Sequence, residues 1–108
     1  MSHYYLNEDH TYEPCDLMTY ANQIEELWET GKKNVANDII NGKRVSTVWL
    51  GLDHNHFGGK PLLLETMVFE TESVGADIYC ERYSTWDEAV EGHERAIQWV
   101  LDGCKDES

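Results

Sequence analysis

At 108 residues the chain has the length of one domain, and a domain of that size takes roughly two-thirds of its unfolded surface out of water. Hydrophobic residues make up 41%, with four Trp and six Tyr, which argues against a disordered chain, whose apolar surface is too small to offset backbone entropy. Against 21 Asp and Glu stand eight Lys and Arg, a formal charge of −13; phosphate neutralisation needs Lys and Arg, so this balance argues against direct nucleic-acid binding and favours a basic partner.

No apolar run approaches the ~20 residues of a membrane span, and no charged start leads into an apolar signal core, so no membrane partner and a cytoplasmic location are expected. Cys15, Cys80 and Cys104 form no CxxC pair. Their odd number and wide spacing point to reduced thiols rather than a disulfide framework or structural zinc.

In chain order, His3–Leu6 (HYYL) is a short aromatic run that reads either as an edge strand or as a tail clamped by its tyrosines. Asp16 is placed to cap a helix over Leu17–Thr30, in which Leu17, Ala21, Ile24 and Trp28 recur at helical spacing beside Leu27 and Gly31 supplies the stop. Lys32 and Lys33 follow at its negative end. Residues 35–40 then lead into Asn41-Gly42, a dipeptide suited to a two-residue hairpin.

The strand after that turn, residues 44–52, sets Val45, Thr47 and Trp49 against Val48, Leu50 and Leu52, so a central strand at least partly covered on both faces is expected. A loop from His54 to Lys60 joins it to residues 61–69. There Leu62, Leu64, Thr66 and Val68 alternate with Leu63, Glu65, Met67 and Phe69. An acidic loop (residues 70–77) precedes a fourth strand, residues 78–83. Thr85 and Glu88 have the spacing of a capping box, and Trp86, Ala89, Val90, His93, Ala96, Ile97, Val100 and Leu101 make one helical stripe that Gly103 ends.

The expected fold is a single α+β domain over residues 1–108: an antiparallel four-stranded meander with an N-terminal and a C-terminal helix packed on one face. The open face offers a route to a homodimer.

Residues 45–55 (VSTVWLGLDHN), 61–69 (PLLLETMVF) and 81–89 (ERYSTWDEA), with Gly92-His93 beyond, resemble the signature blocks of a family of small, uncharacterised proteins encoded by bacteriophages and prophages. The HYYL opening and Asp16-Leu17-Met18-Thr19 are similar too, so the likeness spans most of the chain. It implies a phage-related source and a host cytoplasm as the compartment, and no activity. The family's loop after the Asp-His pair is Gly-rich without a second histidine, so the likeness lends nothing to His56.

Three groups of residues carry candidate chemistry. His54 and His56, two residues apart on an extended backbone, point the same way as two imidazoles of a metal site do, with Asp53, Glu65 or His93 to complete it; one HxH is a weak signal. His93 on the helical stripe and Glu65 on a strand beneath it would form a base and its orienting carboxylate, against the plainer reading of a satisfied polar pair locking helix to sheet. Gly58-Gly59-Lys60 lacks the full spacing of a phosphate cradle, and no cofactor is expected.

Three functions follow as expectations. The first is a small acidic binding protein, not an enzyme, that inhibits a host defence or nucleic-acid-handling protein through that protein's basic surface. The second is a metal- or ligand-binding domain or hydrolase using Asp53, His54, Glu65 and His93, with Glu81 nearby. The third is a minor virion or assembly component.

Overall fold

The structure, a computed structural model, describes residues 2–53, 59–70 and 77–104. Its elements are β1 (His3–Leu6), β2 (Tyr12–Cys15), α1 (Leu17–Thr30), β3 (Asn34–Ile40), β4 (Lys43–Trp49), β5 (Leu64–Glu70), β6 (Asp77–Tyr83) and α2 (Trp86–Leu101). β3-β4-β5-β6 form a four-stranded antiparallel meander, and β1-β2 form a separate antiparallel pair. The fold is α+β, as expected. No helix among the described residues is long and apolar enough to cross a membrane.

Local chemistry sets the element ends. Asp16 accepts the Thr19 amide at 2.8 Å and opens α1, and Gly31 at φ 75 closes it. Asn41 (φ 51) and Gly42 (φ 77) make the left-handed turn that pairs Ile40 with Lys43. Thr85 accepts the Glu88 amide to start α2, while the Glu88 carboxylate takes the Thr85 hydroxyl rather than its amide.

Strand parity then decides the core. Trp49, Thr47 and Val45 of β4 stand directly opposite Leu64, Thr66 and Val68 of β5, and all six are buried on one face. α2 lies across that face and touches all four strands. One end of the interior gathers Leu6, Leu27, Trp49, Leu63, Leu64, Tyr83 and Ala89; the other gathers Val45, Val68, Ala96 and Val100. Each fully buried Leu, Val or Trp stabilises by about 1.5–3 kcal/mol. Leu27 brings α1 to the Trp49 end of the same face.

Two expectations need correction. The strand expected over residues 44–52 ends at Trp49, because the amides of Leu50 and Gly51 turn to the Leu63 carbonyl and Gly51 sits at φ 74. The buried side of α1 carries Gln23 and Leu27, with Tyr20 and Ile24 half-buried, whereas Leu17 and Trp28 are exposed. The cause is the β1-β2 ribbon, whose second strand contains Pro14 and was not anticipated. Gln23 clasps this ribbon at Leu6: its Oε1 accepts the Leu6 amide at 2.8 Å and its Nε2 donates to the Leu6 carbonyl at 2.7 Å. Tyr20 adds a 2.9 Å bond to the Leu50 carbonyl. These bonds rotate the helix so that a polar side chain faces inward.

The N-terminal ribbon is also tied to the end of β4. Tyr4 donates its amide to the Gly51 carbonyl at 2.9 Å, and His3 bridges Leu52. The opposite face of the meander carries Arg44, Ser46, Val48, Glu65, Met67, Phe69, Cys80 and Arg82, and neither helix lies over it.

Candidate functional site

His93 falls on the buried stripe of α2 with Ala89, Ala96 and Val100, at i−4, i+3 and i+7. Its imidazole is pressed between β3 and β4. Nδ1 lies 2.7 Å from the Thr47 hydroxyl and Nε2 lies 2.8 Å from the Asp38 carboxylate. Thr47 is hydrogen-bonded in turn to Thr66, and Thr66 accepts the Tyr83 hydroxyl at 2.9 Å. Four elements of the meander and α2 are thereby joined by one chain of polar side chains.

One proton arrangement uses every donor. With Asp38 ionised, Nε2–H donates to it and Nδ1 accepts from Thr47; Thr47 accepts from Thr66, which accepts from Tyr83.

Asp38, His93 and Thr47 stand in the order of a carboxylate, base and hydroxyl nucleophile. Thr47 and Thr66 are completely buried and His93 nearly so, whereas the Asp38 carboxylate is half-exposed. The hydroxyl that would attack therefore faces another threonine and no substrate. The arrangement locks α2 to the sheet.

Among the described residues, those singled out in the sequence do not converge. Glu65 is not beneath His93: it alternates with Leu64 and Thr66, so it points to the opposite face, where Arg82 Nε donates to it at 2.8 Å and Cys80 Sγ lies 3.6 Å away. Glu81 lies on the α2 side, accepting from Arg95 at 2.6 Å and from the Tyr79 hydroxyl at 2.7 Å. Burial, and then that bond to Glu81, push the Tyr79 phenol far above its ordinary value. Asp53 accepts the Leu62 amide at 3.1 Å and donates its own amide to Ser2, tying together the residues that flank the loop. His54 and His56 lie outside the described residues. Among the described residues no three His, Cys, Asp or Glu come together as a metal-binding group, and none of the three cysteines forms a disulfide.

Asp38, Thr47, Thr66 and Tyr83 were not read from the sequence as partners of His93. A signal existed: Thr47 sits between Val45 and Trp49, and Thr66 between Leu64 and Val68, each a lone hydroxyl on an apolar face. The plain alternative, a satisfied polar lock between helix and sheet, is what the geometry shows, with Asp38 and Thr47 in place of Glu65.

Outside the interior the charges are sorted by element. α1 carries Glu25, Glu26 and Glu29, all exposed, and no Lys or Arg. The exposed side of α2 carries Asp87, Glu88, Glu91 and Glu94 against Arg95 alone. Sheet cations are engaged locally: Lys43 with Glu70, Arg82 with Glu65, and Arg44 over the Phe69 ring. A hollow of about 560 Å³ between β1, α1 and the start of α2 is lined by Tyr5, Glu8, Glu26, Leu27, Lys32 and Trp86 among others.

No protein-family model, curated protein or solved structure matches the chain.

Proposed function

We propose that the protein is a non-enzymatic binding protein whose acidic helical side occupies a basic surface on a partner protein. The observation that carries this reading is the segregation of charge: both helices present carboxylates outward with a single arginine between them, within a chain of net charge −13. Complementary charge of this kind accelerates encounter and selects the partner, and its effect weakens with salt. The interior offers no competing role, since His93 is engaged on both nitrogens and Glu65 is held by Arg82 on the other face.

The likeness to phage-encoded proteins directs the search to a bacterial host protein that handles nucleic acid, because such proteins carry basic grooves. The test is affinity capture from bacterial lysate at low and high ionic strength, comparing the wild type with Glu25→Gln/Glu26→Gln/Glu29→Gln. A specific basic protein retained at low salt and lost with both changes is the expected result. Recovery of nothing reproducible, or of the same proteins by both forms, would overturn the reading.

A second reading, self-association through the open sheet face, draws support from Ile39, 68% exposed, on the side that also carries half-buried Val48, Met67 and Phe69. Sedimentation of the wild type against Ile39→Ser tests it.

A further inference from the structure

Most of the apolar stripe that the sequence assigns to the interior of α1 is turned to solvent, while Ile24, half-buried, packs against the core. Leu17, Ala21, Ile24 and Trp28 follow one another at helical spacing, yet Leu17 is 62% and Trp28 66% exposed, with Met18 beside them at 70%. In α2 such spacing leads inward for Ala89, His93, Ala96 and Val100, whereas Val90 and Leu101, expected on the same stripe, are exposed. In α1 the inward position is held by Gln23 and Leu27, fixed by the double bond from Gln23 to Leu6 and by Tyr20 to Leu50. The outward stripe is thus built into the fold. Trp28 is steadied by the Lys33 ammonium 4.2 Å from its ring, which limits the rotamer freedom lost on binding.

Resting on the binding role proposed above, we infer that α1 is the docking element: its Leu17-Met18-Ala21-Trp28 stripe enters an apolar groove on the partner protein, and Glu25 and Glu29 meet Lys or Arg at the rim. Large apolar anchors at helical spacing are how a helix engages a groove, and Trp is the residue most enriched among anchors that dominate such interfaces. Charge selects the occupant. On the wheel of α1, Glu25 and Glu29 flank Met18 on the solvent side of Leu17, Ala21 and Trp28, and no cation within the helix offsets them. A basic rim satisfies them; a second copy would bring like carboxylates together across the contact, with −13 on each chain. Anionic lipid and nucleic acid are repelled for the same reason.

The test uses the full chain and a synthetic helical peptide of leucine and lysine with the leucines on one face. Titration calorimetry at low ionic strength is expected to show binding that falls roughly tenfold or more in Leu17→Ser/Trp28→Ser and in Glu25→Gln/Glu29→Gln, and is unchanged in Ile39→Ser. Hydroxyl-radical footprinting of the wild type, which needs no variant to fold, is expected to show Leu17, Met18 and Trp28 protected by the peptide. If the carboxylate variant loses binding while the serine variant keeps it and the footprint is flat, the docking helix is wrong and the acidic-binder reading stands. A peptide that does not bind the wild type at all sinks both. A wild-type dimer in sedimentation that Trp28→Ser dissociates gives the stripe to a second copy and overturns the inference.

Discussion

The ring of Tyr83 lies so close to Gly92 that a β-carbon built on the glycine would fall 2.1 Å from its hydroxyl oxygen. This contact lets α2 settle onto β6 and leaves the Tyr83 hydroxyl within reach of Thr66. Alanine favours a helix over glycine by about 1 kcal/mol, but the clash is with a ring pinned in the core, where overpacking costs about 1–3 kcal/mol. Gly92→Ala is therefore expected to destabilise on balance, read as a lower urea midpoint. In a Tyr83→Leu background the same change becomes neutral or stabilising, because the two residues couple directly.

His93→Ala removes the group that joins Asp38 to Thr47. The Thr47 hydroxyl loses its acceptor in a dry interior and a cavity opens, for a combined loss of about 3 kcal/mol. Asp38→Ala is expected to cost about 1 kcal/mol, since its carboxylate is half-exposed and leaves Nε2 a path to water. Chemical denaturation of both variants checks the ordering; equal losses would mean that Asp38 carries more of the lock than its exposure allows.

Gln23→Glu gives a test whose sign depends on pH. The amide of Gln23 donates to Leu6 O and accepts from Leu6 N, and an ionised carboxylate can only accept. At neutral pH the change sets an oxyanion against a carbonyl and is expected to cost about 2 kcal/mol. A protonated carboxyl both donates and accepts, so its folded-state pKa lies above the unfolded value near 4.3. The lost stability should return as pH falls through the folded value, measured as the difference in urea midpoint from wild type.

Four tyrosines whose phenols burial raises, Tyr12, Tyr20, Tyr79 and Tyr83, contribute to the alkaline limb of stability. Burial raises the phenols of Tyr79 and Tyr83 above the ordinary value of 10.0, and the bond to Glu81 adds to this for Tyr79. An unfolded chain ionises its tyrosines from about pH 10 upward, so the stability these groups give is complete below that pH and is lost as pH rises through their higher folded values. Asp9 and Asp16 act oppositely: hydrogen bonds from Thr11 and Thr19 hold their carboxyls below 3.8, so their contribution is present above the unfolded value and is lost as pH falls through the folded one. Tyr79→Phe should flatten the alkaline limb of a stability–pH curve and leave the acid limb unchanged.

The outward stripe of α1 predicts a separation of folding from binding. Leu17→Ser and Trp28→Ser are expected to change stability by about 1 kcal/mol or less, the upper end for Trp28 because it loses the Lys33 contact. Leu27→Ala, buried in the core, should cost about 2–5 kcal/mol. Thermal melts of the three variants decide it.

Helix and turn boundaries were legible because single residues specify them: Asp16 and Gly31 around α1, Asn41-Gly42 between β3 and β4, Thr85 before α2. Orientation was harder to read. The spacing of Leu17, Ala21, Ile24 and Trp28 says that a helix has an apolar side, but which side turns inward depended on Gln23 finding Leu6, a partner seventeen positions away. The site failed on parity. Glu65 and Thr66 are adjacent in the chain and face opposite ways, so only the register of β5 against β4, together with the descent of α2, shows that His93 meets Thr47. The strand β2 was hidden by Pro14, a residue that favours edges and ends of strands and here sits opposite Tyr4.

The clasp between Gln23 and Leu6, with Tyr4 reaching Gly51 and His3 reaching Leu52, also orders events in time. β1 can pair with β2 close by in the chain, but the ribbon is secured to the rest of the body only once α1 and the end of β4 are in place. Removing residues 3–6 would leave the meander and α2 able to assemble while freeing α1 to roll, and the stripe now held toward solvent would have an interior to fall into.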